Sequence, residues 1–162
     1  MKYKKIVIFG LTASGKTTLA KNISKILNIK VYHSDDFAYK KKWTIKSSEK
    51  EFMHKLGNVT RKKEWIIEGV HSEWLSNAVK KTDLVIFLNP HKFVMTKRAL
   101  IRSKGKKDSL KQKLKLLYWI YRWGPSWYRK YKHHSKNFLE VRNSKDKEIL
   151  LEKLKLAIKY NH

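Results

Sequence analysis

The stretch KKIVIFGLTASGKTTLAKNISKIL, residues 4–27, decides the fold. Ile6 to Phe9 form an unbroken β-branched and aromatic run closed by Gly10, the pattern of a buried strand. From Lys16 onward, Leu19, Ile23, Ile26 and Leu27 recur at helical spacing, so residues 16–27 predict a helix. Between the two, GLTASGKT at residues 10–17 meets G-x-x-x-x-G-K-[ST] at every defined position, in the strand-to-helix context that a phosphate-binding loop requires. Glycines let the backbone wrap phosphate oxygens, while successive amides and the positive end of the helix stabilise their charge. Gly10, Leu11, Thr12, Ala13, Ser14, Gly15, Lys16, Thr17 and Thr18 are therefore the expected contacts of a nucleoside triphosphate, ATP or another. Lys16 is placed to reach the β and γ phosphates, and the Thr17 hydroxyl suits Mg2+ bridging them.

Working outward, short apolar runs predict strands at 30–33, 65–68, 83–88 and 138–141, with helical patterns between them. Such alternation points to an α/β fold in which helices cover a parallel sheet. Asn89-Pro90 ends the fourth strand, and Asn143-Ser144 opens a last helix over 145–160 with Ile149, Leu150, Leu154, Ala157 and Ile158 on its apolar side. At 162 residues and 41% hydrophobic content the chain fits one domain spanning 1–162. No run approaches the roughly 18 to 20 apolar residues of a membrane span. The run after the first lysines is too short for a signal peptide. With no cysteine, disulfides and thiolate metal sites are excluded, and a cytoplasmic protein without a membrane partner is expected.

The net charge of +26 attracts anions, whether nucleic acid, phosphorylated metabolites or acidic surfaces. It is spread along the chain: 22 basic and 8 acidic residues over 1–102, then 17 and 5 over 103–162. Only 6 of the 39 basic residues are Arg, the side chain suited to bidentate phosphate recognition, so part of the excess is a lean toward lysine. Residues 103–136 stand apart, with 11 basic residues against one acidic and 7 aromatics between 118 and 131. They read as a lid closing cations over phosphates, or as a basic and aromatic surface on which nucleic-acid bases stack. Leu110, Leu114, Leu117 and Tyr121 share one face at helical spacing, which favours core packing for much of the aromatic cluster. Gly124-Pro125 breaks this helix.

Acidic residues at strand ends complete the candidate site. Glu68 closes the run Trp65-Ile66-Ile67 and precedes Gly69, where an acid would help Thr17 hold Mg2+. Asp83, the rival, begins its apolar run and so falls at the opposite sheet edge. The second strand ends in His33-Ser34-Asp35-Asp36. Either carboxylate suits a base that takes the proton of an attacking hydroxyl, or a cap on the following turn. His33 and His71 have no partner at a metal-ligand spacing and read as loop or strand-end residues. Arg98 and Arg102, four apart, share one helix face, either as clamps on the transferring phosphoryl group or as a solvated face.

These residues resemble the adenylate kinase-like P-loop kinases, and more closely the bacterial DNA topology modulation (FlaR-like) proteins. The resemblance covers most of the chain through GLTASGKT, HSDDF with Trp43 after it, WIIEG, DLVIFLNP followed by RALIR, and NFLEVRNSKDKEILLEKL. It implies a five-stranded parallel sheet, an acceptor-binding segment near 40–62 and a lid after Arg102. Asp35 takes the place of the acidic residue after the family's second strand, and Arg98 and Arg102 match its lid-helix arginines. Glu68 stands where Asp is more usual, and the loop from Arg142 matches one that borders adenine. Residues 40–62 hold only one arginine, Arg61, so the clamp for an acceptor monophosphate is missing unless lysines supply it.

The expected function is a Mg2+-dependent kinase moving the γ-phosphoryl group of ATP to an unidentified acceptor: a small molecule, a nucleotide or a nucleic-acid end. The alternative is a nucleotide-binding regulator with little turnover that associates with DNA or RNA through its basic surface.

Overall fold

The computed structural model describes residues 3–41, 45–69, 72–104, 110–122, 132, 135 and 137–160. Along the chain come β1 (Lys5–Gly10), α1 (Lys16–Leu27), β2 (Val31–His33), α2 (Ser34–Ala38), β3 (Tyr39–Lys41), β4 (Ile45–Lys46), α3 (Glu49–Thr60) and β5 (Trp65–Gly69). Then follow α4 (Ser72–Val79), β6 (Leu84–Leu88), α5 (Lys92–Lys104), α6 (Leu110–Arg122), β7 (Phe138–Val141) and α7 (Ser144–Lys159). Five strands form one sheet in the order β2-β5-β1-β6-β7, every pair parallel. The expected five-stranded parallel sheet flanked by helices is the observed fold.

Its centre follows from the unbroken apolar runs. β5 and β6 are buried along their whole length, as is β1 beyond Lys5, which a strand covered on both faces requires. Successive side chains point to opposite faces, so Val7, Phe9, Ile67, Val85 and Phe87 join a core beneath α3 and α4. Ile6, Ile8, Ile66, Leu84 and Ile86 join the other, beneath α1 and α7. Each fully buried side chain of this size contributes about 1.5–3 kcal/mol relative to exposure. Asp83 lies just before β6, where its Oδ2 accepts hydrogen bonds from the Lys4 and Lys5 amides at 2.9 Å each. That fixes the rival acid at the amino-end edge, across the sheet from the phosphate loop.

A small antiparallel strand pair, β3 with β4, lies at the start of the segment 40–62, beginning one residue before it at Tyr39, and shows no clear apolar alternation in the sequence. Helix α3 starts on a capping box in which Ser48 and Glu51 satisfy each other's backbone amides. Trp43, His71 and Gly124-Pro125 lie outside the described residues, as does much of 103–136.

Within α6 the buried face differs from the expected one. Ile120 is fully buried, with Leu116 and Leu117 beside it, against Met95 and Ala99 of α5. Leu114 and Tyr121 are 59% and 53% exposed, and Tyr118 and Trp119 are exposed as well. Apolar residues surround this helix, so spacing alone allows two faces, and contact with α5 selects the one through Ile120.

Gly69 is needed at the end of β5, since a Cβ there would run into the buried Ser34 side chain at the start of α2. The close approach brings the ends of β2 and β5 together, and with them the acidic groups of the site.

Candidate active site

Parallel register places the strand ends at one edge: Gly10 beside Leu88, Leu88 beside Val141, and Glu68 beside both Ile8 and His33. Residues 10–17 span this edge. Gly15 adopts φ 101°, a left-handed conformation costly for any side chain, and Ala13 is held at φ 62°. A Cβ on Gly10 would collide with the Leu88 carbonyl, so the loop can lie against β6 only with glycine there. Leu11 and Ala13 pack against Met95, Ala99 and Ile120, so α5 and α6 seat directly on the loop.

The Ser14 hydroxyl is buried and has no hydrogen-bond partner among the described residues. A buried polar group left unmatched costs about 1–3 kcal/mol, and a phosphate oxygen would satisfy it. The loop therefore fits a nucleotide phosphate. Lys16 is almost fully buried and its Nζ donates to the Leu11 carbonyl at 2.9 Å across the loop. Burial lowers its pKa; the carboxylates of Glu68 and Asp35 oppose that shift and the Arg102 guanidinium adds to it. These side chains act on one ammonium from β5, α2 and α5, so the structure brings them together.

Thr17 Oγ1 donates to Glu68 Oε1 at 3.0 Å, joining the two residues expected to hold Mg2+. Because the hydroxyl hydrogen is directed at Glu68, its lone pairs remain for a cation, and a hard-oxygen donor set of this kind fits Mg2+. Among the described residues, no three His, Asp or Glu side chains gather as a metal-ligand set. His33 Nδ1 also lies 2.7 Å from Glu68 Oε1, a contact that sequence reasoning missed. The two residues are 35 apart, and only the pairing of β2 with β5 makes them neighbours.

Asp35 and Asp36 have different surroundings. Asp35 is half-buried and acts on Lys16. Asp36 is exposed and lines a cavity of about 470 Å3 on the outer side of β2, with Lys30, Tyr32, His33 and Lys55 among the other lining residues. Arg98 Nη1 donates to the Ser14 carbonyl at 3.1 Å, and Arg102 follows one turn later on α5. Leu11 and Thr12 are half-buried, and Thr18 is exposed in the first turn of α1, all within the loop and its helix start.

Arg142 sits just beyond β7 at the same sheet edge, its Nη2 on Glu140 Oε2 at 2.8 Å. Glu140 also accepts from Asn89 Nδ2 at 2.8 Å. The Arg142 hydrogen bond, aided by the one from Asn89, holds the Glu140 carboxyl below its usual value of 4.5 although partial burial opposes this. A carboxyl depressed in the folded state adds stability above about pH 4.5, which is lost as pH falls through the lower folded value. Glu140→Gln should therefore lower the melting temperature modestly at neutral pH and leave it little changed below the folded pKa, so that the gap to wild type closes as pH falls below about 4.5.

A family model described as an AAA domain matches residues 6–115. The chain belongs to the AAA domain family. No curated protein matches the chain. Among solved structures, this AAA domain is similar to shikimate kinase from Acinetobacter baumannii in complex with shikimate, with TM-score 0.61 and 16% identity over 96% of this chain and 93% of that one. It is similar to a gluconokinase from Sinorhizobium meliloti 1021, with TM-score 0.56 and 11% identity over 98% of this chain and 97% of that one. A third likeness is to deoxyadenosine kinase from M. mycoides with bound dCTP, with TM-score 0.54 and 17% identity over 92% and 97% of the two chains. At these identities the likeness is one of fold, and the AAA domain has the fold of P-loop kinases. No helix among the described residues is long and apolar enough to cross a membrane.

Proposed function

We propose that the chain is a Mg2+-dependent phosphotransferase that moves the γ-phosphoryl group of ATP, or another nucleoside triphosphate, to a hydroxyl or phosphate acceptor. One observation carries the reading: Thr17 Oγ1 donates to Glu68 Oε1 at 3.0 Å and Arg98 Nη1 donates to the Ser14 carbonyl at 3.1 Å, so an acid and a cation from separate elements meet the phosphate loop. Residues 10–18 hold the triphosphate, and Arg142 borders its base. Mg2+, held at Thr17 with Glu68 beside it, supplies charge neutralisation on the phosphates.

With an alcohol as acceptor, Asp35 takes the hydroxyl proton as the acceptor oxygen bonds to the γ-phosphorus. The bond from that phosphorus to the bridging oxygen breaks, and the diphosphate leaves. Lys16, Arg98 and Arg102 stabilise charge on the phosphoryl oxygens and the leaving group, while packing of α5 and α6 on the loop restricts water. Asp36, on the cavity side of β2, serves the acceptor rather than the phosphorus. The acceptor enters by the segment 40–62, and the lid lies within 103–136. In this reading the chain sits with the DNA topology modulation proteins and works in the cytoplasm.

The test is transfer from γ-labelled ATP across a panel of alcohols, sugars, nucleosides, nucleotides and oligonucleotide 5′ ends. Labelled product from an acceptor class supports the reading, and absence of both labelled product and Mg2+-ATP binding sinks it. A second reading rests on α6, whose exposed Tyr118 and Trp119 lie among Lys111, Lys115 and Arg122. Aromatics interleaved with cations suit single-stranded nucleic acid, and the regulator would show binding that weakens steeply as salt rises.

A further inference from the structure

His33 ends β2, and the sheet register sets it directly opposite Glu68. Its Nδ1 lies 2.7 Å from Glu68 Oε1, the same oxygen that accepts from Thr17 Oγ1 at 3.0 Å. A carboxylate oxygen only accepts, so Nδ1 carries the hydrogen of this bond. Glu68 is 6% exposed. Both of its hydrogen bonds fall on Oε1, so Oε2 is left without a hydrogen bond among the described residues. Two donors from different elements thus fix one oxygen and with it the plane of the carboxylate. Without the imidazole, Glu68 could turn about its last bond, and the direction of the Thr17 hydroxyl would turn with it.

We propose that His33 is a positioning residue for the divalent cation at Thr17. It acts through Glu68 and orients the lone pairs of the Thr17 hydroxyl and the second carboxylate oxygen. The inference rests on the reading of Thr17 and Glu68 as the Mg2+ site. Core packing is not the role of this ring: its side chain is 38% exposed and lies in the wall of the cavity beside β2. The requirement is specific, because a hydrogen is needed at the Nδ1 position and not at Nε2. Outer-shell partners of this kind commonly alter metal affinity about 10–100-fold.

Calorimetric titration of the full chain with ATP, once with EDTA and once with Mg2+, gives the gain in affinity due to the cation. His33→Ala should cut that gain by about tenfold or more while Mg2+-free affinity stays at the wild-type value. His33→Asn places an amide nitrogen near the Nδ1 position and should keep most of the gain. His33→Gln places its nitrogen nearer Nε2 and should behave as alanine does. In a Glu68→Ala background, which removes the shared acceptor oxygen, His33→Ala should cost nothing further, since the pair acts as a unit.

Equal gains in all His33 variants, or equal losses in the asparagine and glutamine variants, overturn the proposal. Should the alanine variant fail to fold, the Asn and Gln pair still decides, with thermal melting as the check on both. A wild-type chain that binds ATP with no gain from Mg2+ sinks the metal-site reading itself and the role of His33 with it. A wild-type gain that His33 does not influence sinks only the inference.

Discussion

Lys16→Met is expected to lower phosphoryl transfer by a factor of at least about 10²–10³, the usual loss when one fixed group facing developing negative charge is removed. Binding of Mg2+-ATP should weaken as well, because the ammonium serves ground state and transition state alike. The same substitution should make the free protein more stable. Lys16 is almost fully buried, and burial is the largest cause of its lowered pKa. The folded state therefore disfavours the charged form. That penalty is complete below the folded pKa and fades as pH rises from it toward the ordinary 10.5. Wild-type melting temperature should accordingly rise relative to the variant over this window, and the gap at neutral pH should favour methionine. Half-buried Leu11, whose carbonyl loses the lysine donor, can turn to water. A variant less stable at neutral pH, with the wild-type pH trend intact, would show that Lys16 is compensated by its carboxylates. Its burial would then be no cost of function.

Asp35→Asn should leave ATP binding near wild type and reduce transfer to an alcohol by about 10²–10⁴, the range for loss of a general base. The amide keeps the size of the carboxylate and removes its basicity. Asp36→Asn should leave the chemical step nearly unchanged, with any effect confined to acceptor KM, because Asp36 lies in the outer cavity wall while Asp35 acts on Lys16. Single-turnover rates at saturating ATP separate the two. The opposite ranking of the variants would assign the base to Asp36.

Much of this arrangement is legible in the chain because it depends on local order. The run ending at Phe9 and the loop 10–17 lie side by side in sequence, so one strand and the phosphate site are read together. The strands around Ile66, Val85 and Leu139 are short apolar runs with breakers beside them, and each forms within a residue or two of where it is expected. Glu68 and Asp83 are told apart because one ends its run and the other begins it.

What escapes depends on contacts distant in sequence. His33 and Glu68 meet only because β5 lies between β2 and β1, an order that no spacing encodes. The different surroundings of Asp35 and Asp36 come from the turn of the short helix α2, where Ser34 and Phe37 are buried and Asp36 is left outside. On α6 the pattern offers more than one apolar face, and the choice is made by Met95 and Ala99 on another helix. The antiparallel pair β3 and β4 has too few residues for alternation to register.

The sheet order has a consequence for self-association. Its outer members are the three-residue β2 and the four-residue β7, while β1, β5 and β6 are flanked by strands on both sides. An edge this short offers few unpaired amides and carbonyls, so the native fold is a poor template for adding another chain. The hazard belongs to the unfolded or nascent polypeptide, in which IVIF and LVIFL lie open and are suited to cross-β stacking. There the net charge of +26 keeps molecules apart whatever it attracts in the native state. Aggregation during refolding should thus be most sensitive to polyanions and salt that neutralise this repulsion, and least sensitive to changes at the two edges.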